Sequence, residues 1–259
     1  MLRKPYQTDL TDREWEICDA QLPVDSGRGR PRIYSRRELL NALFYVLRTG
    51  SQWRMLPHDL PPWASVYKFF RQLLRAGVWE RINRILGAVL REAAGRALEP
   101  SAAIIDSQSV KTSECGGVRG FDAGKKVNGR KRHIMVDVMG LLLLVLVHSA
   151  DVQDRDGGKL LLGRISGKFP RLKLVWADGG YAGKLVEWFE GQFGKILEIV
   201  RRTDNVQGFK LLPHRWVVER TFGWLGRNRR LAKDFERQAA TSEAWINVAM
   251  IRLMLRRMA

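Results

Sequence analysis

The chain has 259 residues and is 45% hydrophobic, enough to build the core of one large domain or two ordinary ones. Its net charge of +18 and pI near 10.5 call for a polyanionic partner, either nucleic acid or an acidic membrane surface. No apolar run nears the ~20 residues that span a bilayer, the amino terminus lacks the apolar core of a signal peptide, and Cys18 and Cys115 have no Cys or His at ligand spacing, so the expected setting is nucleic acid in the cytoplasm, at the nucleoid, with neither a zinc site nor a disulfide framework.

The first hundred residues read as helices. Thr11-Asp12-Arg13-Glu14 and Ser35-Arg36-Arg37-Glu38 fit capping boxes, a hydroxyl followed three residues on by a carboxylate. Trp15, Cys18 and Leu22 follow the first at helical spacing; Leu39, Leu40, Leu43, Phe44 and Leu47 follow the second. A third helix is expected after Pro61-Pro62, with Val66, Phe69, Phe70, Leu73 and Leu74 inward, and a fourth after Gly77, with Val78, Ile82, Ile85, Leu86 and Val89 inward. Short helices joined by tight turns and ringed by Arg28, Arg30, Arg32, Arg36, Arg37, Arg48 and Arg54 suit a helix-turn-helix-like DNA-binding domain over residues 1–98. Gly27–Arg32, GRGRPR, reads as a flexible basic linker able to enter a minor groove. A helical bundle with a solvated basic rim is the alternative.

The character changes near Ala97–Ser101, and residues 99–259 read as α/β. Ala103–Ile105 forms a short strand ending at Asp106. Ser107–Arg132 has no clear period, is rich in glycine, and ends in Lys125, Lys126, Arg130, Lys131 and Arg132, as expected of a phosphate-contacting arm or a mobile loop. His133 stands beside it, either on the substrate phosphate or as an ordinary hydrogen-bonded histidine. His133–Val138 and Leu141–His148 flank the hairpin signal Met139-Gly140. A helix through Leu160–Ile165, a strand Leu172–Ala177 ending at Asp178, a helix Leu185–Phe193 and a strand Ile196–Val200 follow. The last elements are a helix over Arg215–Arg237 and another over Ser242–Met258. Mixed strands between helices imply a sheet covered on at least one face.

Three carboxylates stand out. Asp106 and Asp178 follow apolar strands, where α/β sheets place ligands. Glu219 lies on the Arg215–Arg237 helix, on one face with Arg215, Gly223, Gly226 and Arg230. The two glycines suggest close approach by a strand or a nucleic-acid backbone; Val218, Phe222 and Leu225 give a separate stripe that can dock on a sheet. Three carboxylates converge only with cations among them, and hard oxygen ligands select Mg²⁺ or Mn²⁺. The alternative is a basic surface helix whose Glu219 pairs with Arg215. Asp137 reads as a solvent-facing strand residue, and Asp151, Asp154 and Asp156 as helix-capping or turn residues.

Ile105–Lys111 (IDSQSVK), Gly129–His133 (GRKRH), Ala177–Tyr181 (ADGGY) and Trp216–Phe222 (WVVERTF) resemble the transposases of bacterial insertion sequences, nearest to the group named after insertion sequence five. Gly50–Arg54 (GSQWR) and Leu56-Pro57 resemble that group's amino-terminal domain, so the likeness runs over nearly the whole chain. The resemblance implies a ribonuclease H-like catalytic domain with Asp106, Asp178 and Glu219 as an Asp-Asp-Glu triad holding Mg²⁺. It implies phosphate contacts from Arg215, Arg220 and Arg230, double-stranded element ends and target DNA as partners, and a homodimer on DNA. The family's arginine before the glutamate falls on Arg215; its tyrosine falls on Leu212 and its lysine on Gly226, two departures. A ribonuclease H-type nuclease without strand transfer and a catalytically silent DNA-binding derivative are the rival readings.

Overall fold

The computed structural model describes residues 3–24, 32–114, 116–200 and 215–259, so most of the basic linker and Leu212 lie outside the described residues. The chain divides into two compact units: one of residues 1–86, 226–232 and 244–259, the other of 87–225 and 233–243.

The first unit holds α1 (Asp12–Asp19), α2 (Arg36–Thr49), α3 (Trp63–Arg75) and most of α4 (Val78–Ala93). The expected capping box closes at α1, where the Thr11 hydroxyl accepts from the Glu14 N–H at 3.1 Å and the Glu14 carboxylate accepts from the Thr11 N–H at 2.8 Å. At α2 only half of it forms. Ser35 accepts from the Glu38 N–H, but the Glu38 carboxylate is drawn to Arg3 at 2.9 Å and to Asn41. Gly50, at φ +71°, ends α2 in the left-handed conformation that glycine adopts without steric cost. The predicted inward residues of α3 are buried, apart from a half-buried Leu74; on α4 Val78, Ile82 and Leu86 are buried, Ile85 is half-buried and Val89 is 40% exposed. Phe70 stacks on Trp245 at 4.7 Å, with Trp53 and Trp79 beside it. Each such side chain contributes about 1.5–3 kcal/mol by leaving water.

Among the described residues the second unit is built on a six-stranded sheet: β1 (Ala102–Lys111), β2 (Gly120–Asp122), β3 (Val127–Asp137), β4 (Leu142–Ser149), β5 (Leu174–Ala177) and β6 (Ile196–Ile199). The order is β2-β3-β1-β5-β6, with β4 also on β3; β1, β3 and β4 are antiparallel neighbours, whereas β1, β5 and β6 run parallel. The turn at Met139-Gly140 is the expected one, with Gly140 at φ +81°. Helices α5 (Asp154–Leu162) and α6 (Lys184–Phe193) complete this core with Leu161, Leu162, Leu185 and Phe189 against Ala103, Ile105, Met135, Leu144, Leu146 and Val175. Helix α7 (Arg215–Gly226) is shorter than expected and is followed by a single 3-10 turn, Arg229–Leu231; α8 is Ala239–Met258.

The expected aperiodic arm is mostly sheet. β1 continues through Asp106 to Lys111 because its polar half pairs residue for residue with Gly129–His133 of β3. The basic run is therefore interior. Arg130 is fully buried and donates to the carbonyls of Val118, Glu236 and Arg237, with Asp234 at 3.2 Å. Lys131 is buried against Asp154 at 2.9 Å, and Arg132 donates to the Lys233 carbonyl. Asp137, expected to face water, is fully buried, bound by Arg91 and by the N–H groups of Met139 and Leu141.

Candidate active site

The parallel register places the two aspartates. Ile104 of β1 pairs with Trp176 of β5, so Asp106 and Asp178 each stand two residues beyond the same registered pair, at the carboxyl-terminal end of the parallel contact. Asp106 lies within its strand and not at its end, as the continued pairing of β1 with β3 requires. Asp178 caps a 3-10 turn, its carboxylate accepting from the Gly180 N–H at 2.9 Å.

Glu219 joins them from α7. The Arg215 guanidinium, one helical turn before it, has one nitrogen 3.9 Å from Asp106, 3.5 Å from Asp178 and 3.8 Å from Glu219. Three carboxylate oxygens around one nitrogen leave no two of them more than ~8 Å apart. These separations exceed hydrogen-bond length, so Arg215 offsets part of the negative charge without locking any of the three.

Burial, then the neighbouring Asp178 charge, raises the Asp106 carboxyl to about 6, against the opposing Ser107 N–H bond and the charges of Arg215 and Lys125. The Ser107 N–H reaches the Asp106 carboxylate at 2.7 Å. Lys125 rises from the β2–β3 turn, its ammonium 3.1 Å from both the carbonyl and the hydroxyl of Ser107. That turn is set by Asp122, which accepts from the Lys125 N–H and from the Ser109 hydroxyl.

The structure thus gathers Asp106, Asp178, Glu219, Arg215 and Lys125. Lys126 is exposed on the same turn at φ +52°, and Arg220 lies between the Trp216 and Trp224 rings while donating to the Met139 carbonyl. It does not gather the rest of the expected phosphate-binding set. Arg130, Lys131, Arg132 and His133 are buried at their own partners and offer no surface to a DNA backbone. Arg230 lies beyond the end of α7, in the first unit, buried between Trp53 and Trp245. A Cβ at Gly223 or Gly226 would meet nothing within 4 Å among the described residues, so close packing does not explain either glycine there.

Sequence reasoning missed the polar layer beside Asp106. Ser107 donates to Asp154 at 2.8 Å, and Tyr181 is fully buried against His133. Its signal was Gly157-Gly158: a Cβ at Gly157 would lie 2.4 Å from His133 Nε2, and one at Gly158 2.6 Å from the Tyr181 ring.

The family described as "Transposase DDE domain" matches residues 97–254, and the one described as "Putative transposase of IS4/5 family" matches residues 10–83. The chain is 32% identical over 114 residues to the "Insertion element IS402 uncharacterized 16.2 kDa protein" of Burkholderia cepacia, covering 41% of this chain and 76% of that one. It is 31% identical over 127 residues to the "Putative transposase for insertion sequence element IS402" of the same organism, covering 46% and 60%. A third relative, the "Uncharacterized protein y4sN" of Sinorhizobium fredii, is 31% identical over 85 residues, covering 32% and 65%. The chain belongs to the DDE transposases of the IS4/5 insertion-sequence type.

Proposed function

We propose that this transposase cleaves DNA at the ends of its insertion sequence and joins the freed ends to target DNA at a site made of Asp106, Asp178 and Glu219. The observation that carries this is the convergence of these three carboxylates on one guanidinium. Residues 99–259 would be the ribonuclease H-like catalytic domain, a reading supported by the mixed sheet with its aspartates at one end of the parallel strands. Residues 1–98 would read the terminal inverted repeats, and two chains would act together on DNA.

The donor set suits the divalent cations that the family uses. It offers only carboxylate oxygens, the hard ligands of Mg²⁺ and Mn²⁺. Among the described residues no group of ligands stands close enough to hold an ion as placed, so side-chain rotation must draw the three inward. Bound there by Asp106, Asp178 and Glu219, Mg²⁺ would supply Lewis acidity at the attacking and leaving oxygens.

The chain's own groups do the rest. Arg215, held at more than 3.4 Å from every carboxylate, is free to turn to a phosphate; Lys125 and Lys126 offer charge on the Asp106 side and Arg220 on the Trp216 side. Water attacks the phosphorus at the element end, the P–O bond to the 3′ oxygen breaks, and that oxygen leaves as a 3′-hydroxyl. The hydroxyl then attacks a target phosphodiester, displacing a target 3′ oxygen. No covalent bond to the protein is needed. The test is a labelled duplex carrying the terminal sequence that flanks the coding region, incubated with protein and Mg²⁺ and read for both nicks and joined products. Nicks with no joined product would leave a nuclease; neither product would refute the reading.

A further inference from the structure

A buried polar chain ties the strand that carries Asp106 to the turn that carries Asp178. Tyr181 closes the turn after Asp178, its N–H donating to the Asp178 carbonyl at 3.1 Å. Its side chain runs inward, fully buried, and its hydroxyl meets His133 Nδ1 at 3.0 Å with the Ser107 hydroxyl beside it. His133 is the cross-strand partner of Ser107, and Ser107 gives its N–H to Asp106. One phenol therefore reaches from the Asp178 turn across β1 to β3.

The far end of this chain is a pair of stacked imidazoles. His148 Nδ1 lies 2.7 Å from the Ser149 carbonyl, which only accepts, so that nitrogen carries the proton and its Nε2 is bare. The two imidazoles stack at 4.9 Å, and both Nε2 atoms converge on Gly157, at 2.4 and 2.5 Å from where its Cβ would be. Among the described residues neither Nε2 has a hydrogen-bond partner. Burial keeps both rings neutral. The Tyr181 hydroxyl and His133 Nδ1 share one buried hydrogen bond.

We infer that Tyr181, through its hydrogen bond to His133, is a positioning residue that sets the placement of the Asp178 turn relative to Asp106 and so the cation affinity of the three-carboxylate site. The inference rests on the proposed catalytic reading. Partners behind metal ligands typically change metal affinity ~10–100-fold when removed.

The test is Mn²⁺ binding to the full chain, followed by the electron paramagnetic resonance of free Mn²⁺, beside thermal melting. Tyr181→Phe should keep the fold and weaken Mn²⁺ binding about 10-fold. His133→Leu should do the same, while His133→Asn, which returns a hydrogen-bonding group near the Nδ1 position, should bind within about two-fold of the parent. Tyr181→Phe combined with His133→Leu should lose no more than Tyr181→Phe alone, because the His133 bond is already gone there. A Tyr181→Phe protein binding Mn²⁺ as tightly as the parent, when Asp106→Asn does not, overturns the inference and leaves the catalytic reading standing. If Tyr181→Phe does not fold, the two His133 variants decide: equal binding by Leu and Asn overturns it. Equal Mn²⁺ binding by the parent and Asp106→Asn would instead sink the catalytic reading and this inference with it.

Discussion

Asp106→Asn should make the metal-free protein more stable and inactive. The folded chain holds this carboxyl at about 6 against an ordinary 3.8, chiefly through burial and secondarily through Asp178. A raised carboxyl pKa means that the folded state keeps a proton which the unfolded state has already lost. Stability therefore falls as pH rises from about 4 to about 6, and the full penalty is present above that window. Two pK units set a ceiling of about 3 kcal/mol. The side chain is 16% exposed, so solvent screening brings the expected cost to roughly 1–2 kcal/mol. Asparagine keeps the shape and removes the charge. In EDTA, urea unfolding at pH 7.5 should give Asp106→Asn an advantage of about that size, and at pH 4 the two proteins should agree. The same variant should show no Mg²⁺-dependent nicking. An equal gap at both pH values, or a less stable variant at pH 7.5, would refute the reasoning.

Asp122 behaves oppositely. Burial would raise its carboxyl, but the Ser109 hydroxyl, the Lys125 N–H and the Lys131 ammonium outweigh that and hold it at about 2, so its contribution is present above about 4 and is lost as pH falls toward 2; Asp122→Asn should cost about 1–2 kcal/mol in melts at pH 7 and progressively less below pH 4. Asp137→Ala leaves Arg91 buried beside lost acceptors for two N–H groups, and should cost about 3–5 kcal/mol in chemical unfolding; a change under 1 kcal/mol would count against the buried pair. Gly157→Ala drives a methyl to within 2.5 Å of two imidazole nitrogens, so it should lower the melting temperature, by at least 1 kcal/mol in stability, where Gly163→Ala, with nothing within 4 Å, should not. DNA affinity without metal should fall steeply with salt, and Arg130→Ala should destabilise the fold without changing that slope, since its guanidinium is spent on Val118, Glu236, Arg237 and Asp234.

The elements whose apolar spacing is regular were legible. Phe69, Phe70 and Leu73 on α3 are buried where their helical period places them. Asp106, Asp178 and Glu219 stood out because two follow apolar strands and one sits among arginines, and all three lie around the Arg215 guanidinium. What failed was reading charge as surface. Arg130 looked like the tip of a basic arm because its acceptors, the carbonyls of Glu236 and Arg237, lie more than a hundred residues away. Asp137 looked solvent-facing for the same reason, since Arg91 comes from another element. Gly157-Gly158 carried the trace of His133, His148 and Tyr181 pressing on α5, but a pair of glycines names no partner.

The three-carboxylate site depends most directly on Glu219, half-exposed at 49% and loosely paired with Arg215. Glu219→Gln should bind a labelled element end as well as the parent or better, because one negative charge facing phosphate is gone, and should not nick it in Mg²⁺. As a surface ion pair alone it would be worth at most about 1 kcal/mol of stability, and its loss would leave cleavage intact. A Glu219→Gln protein that nicks the element end at the parental rate would remove this residue from the site and contradict the three-carboxylate mechanism.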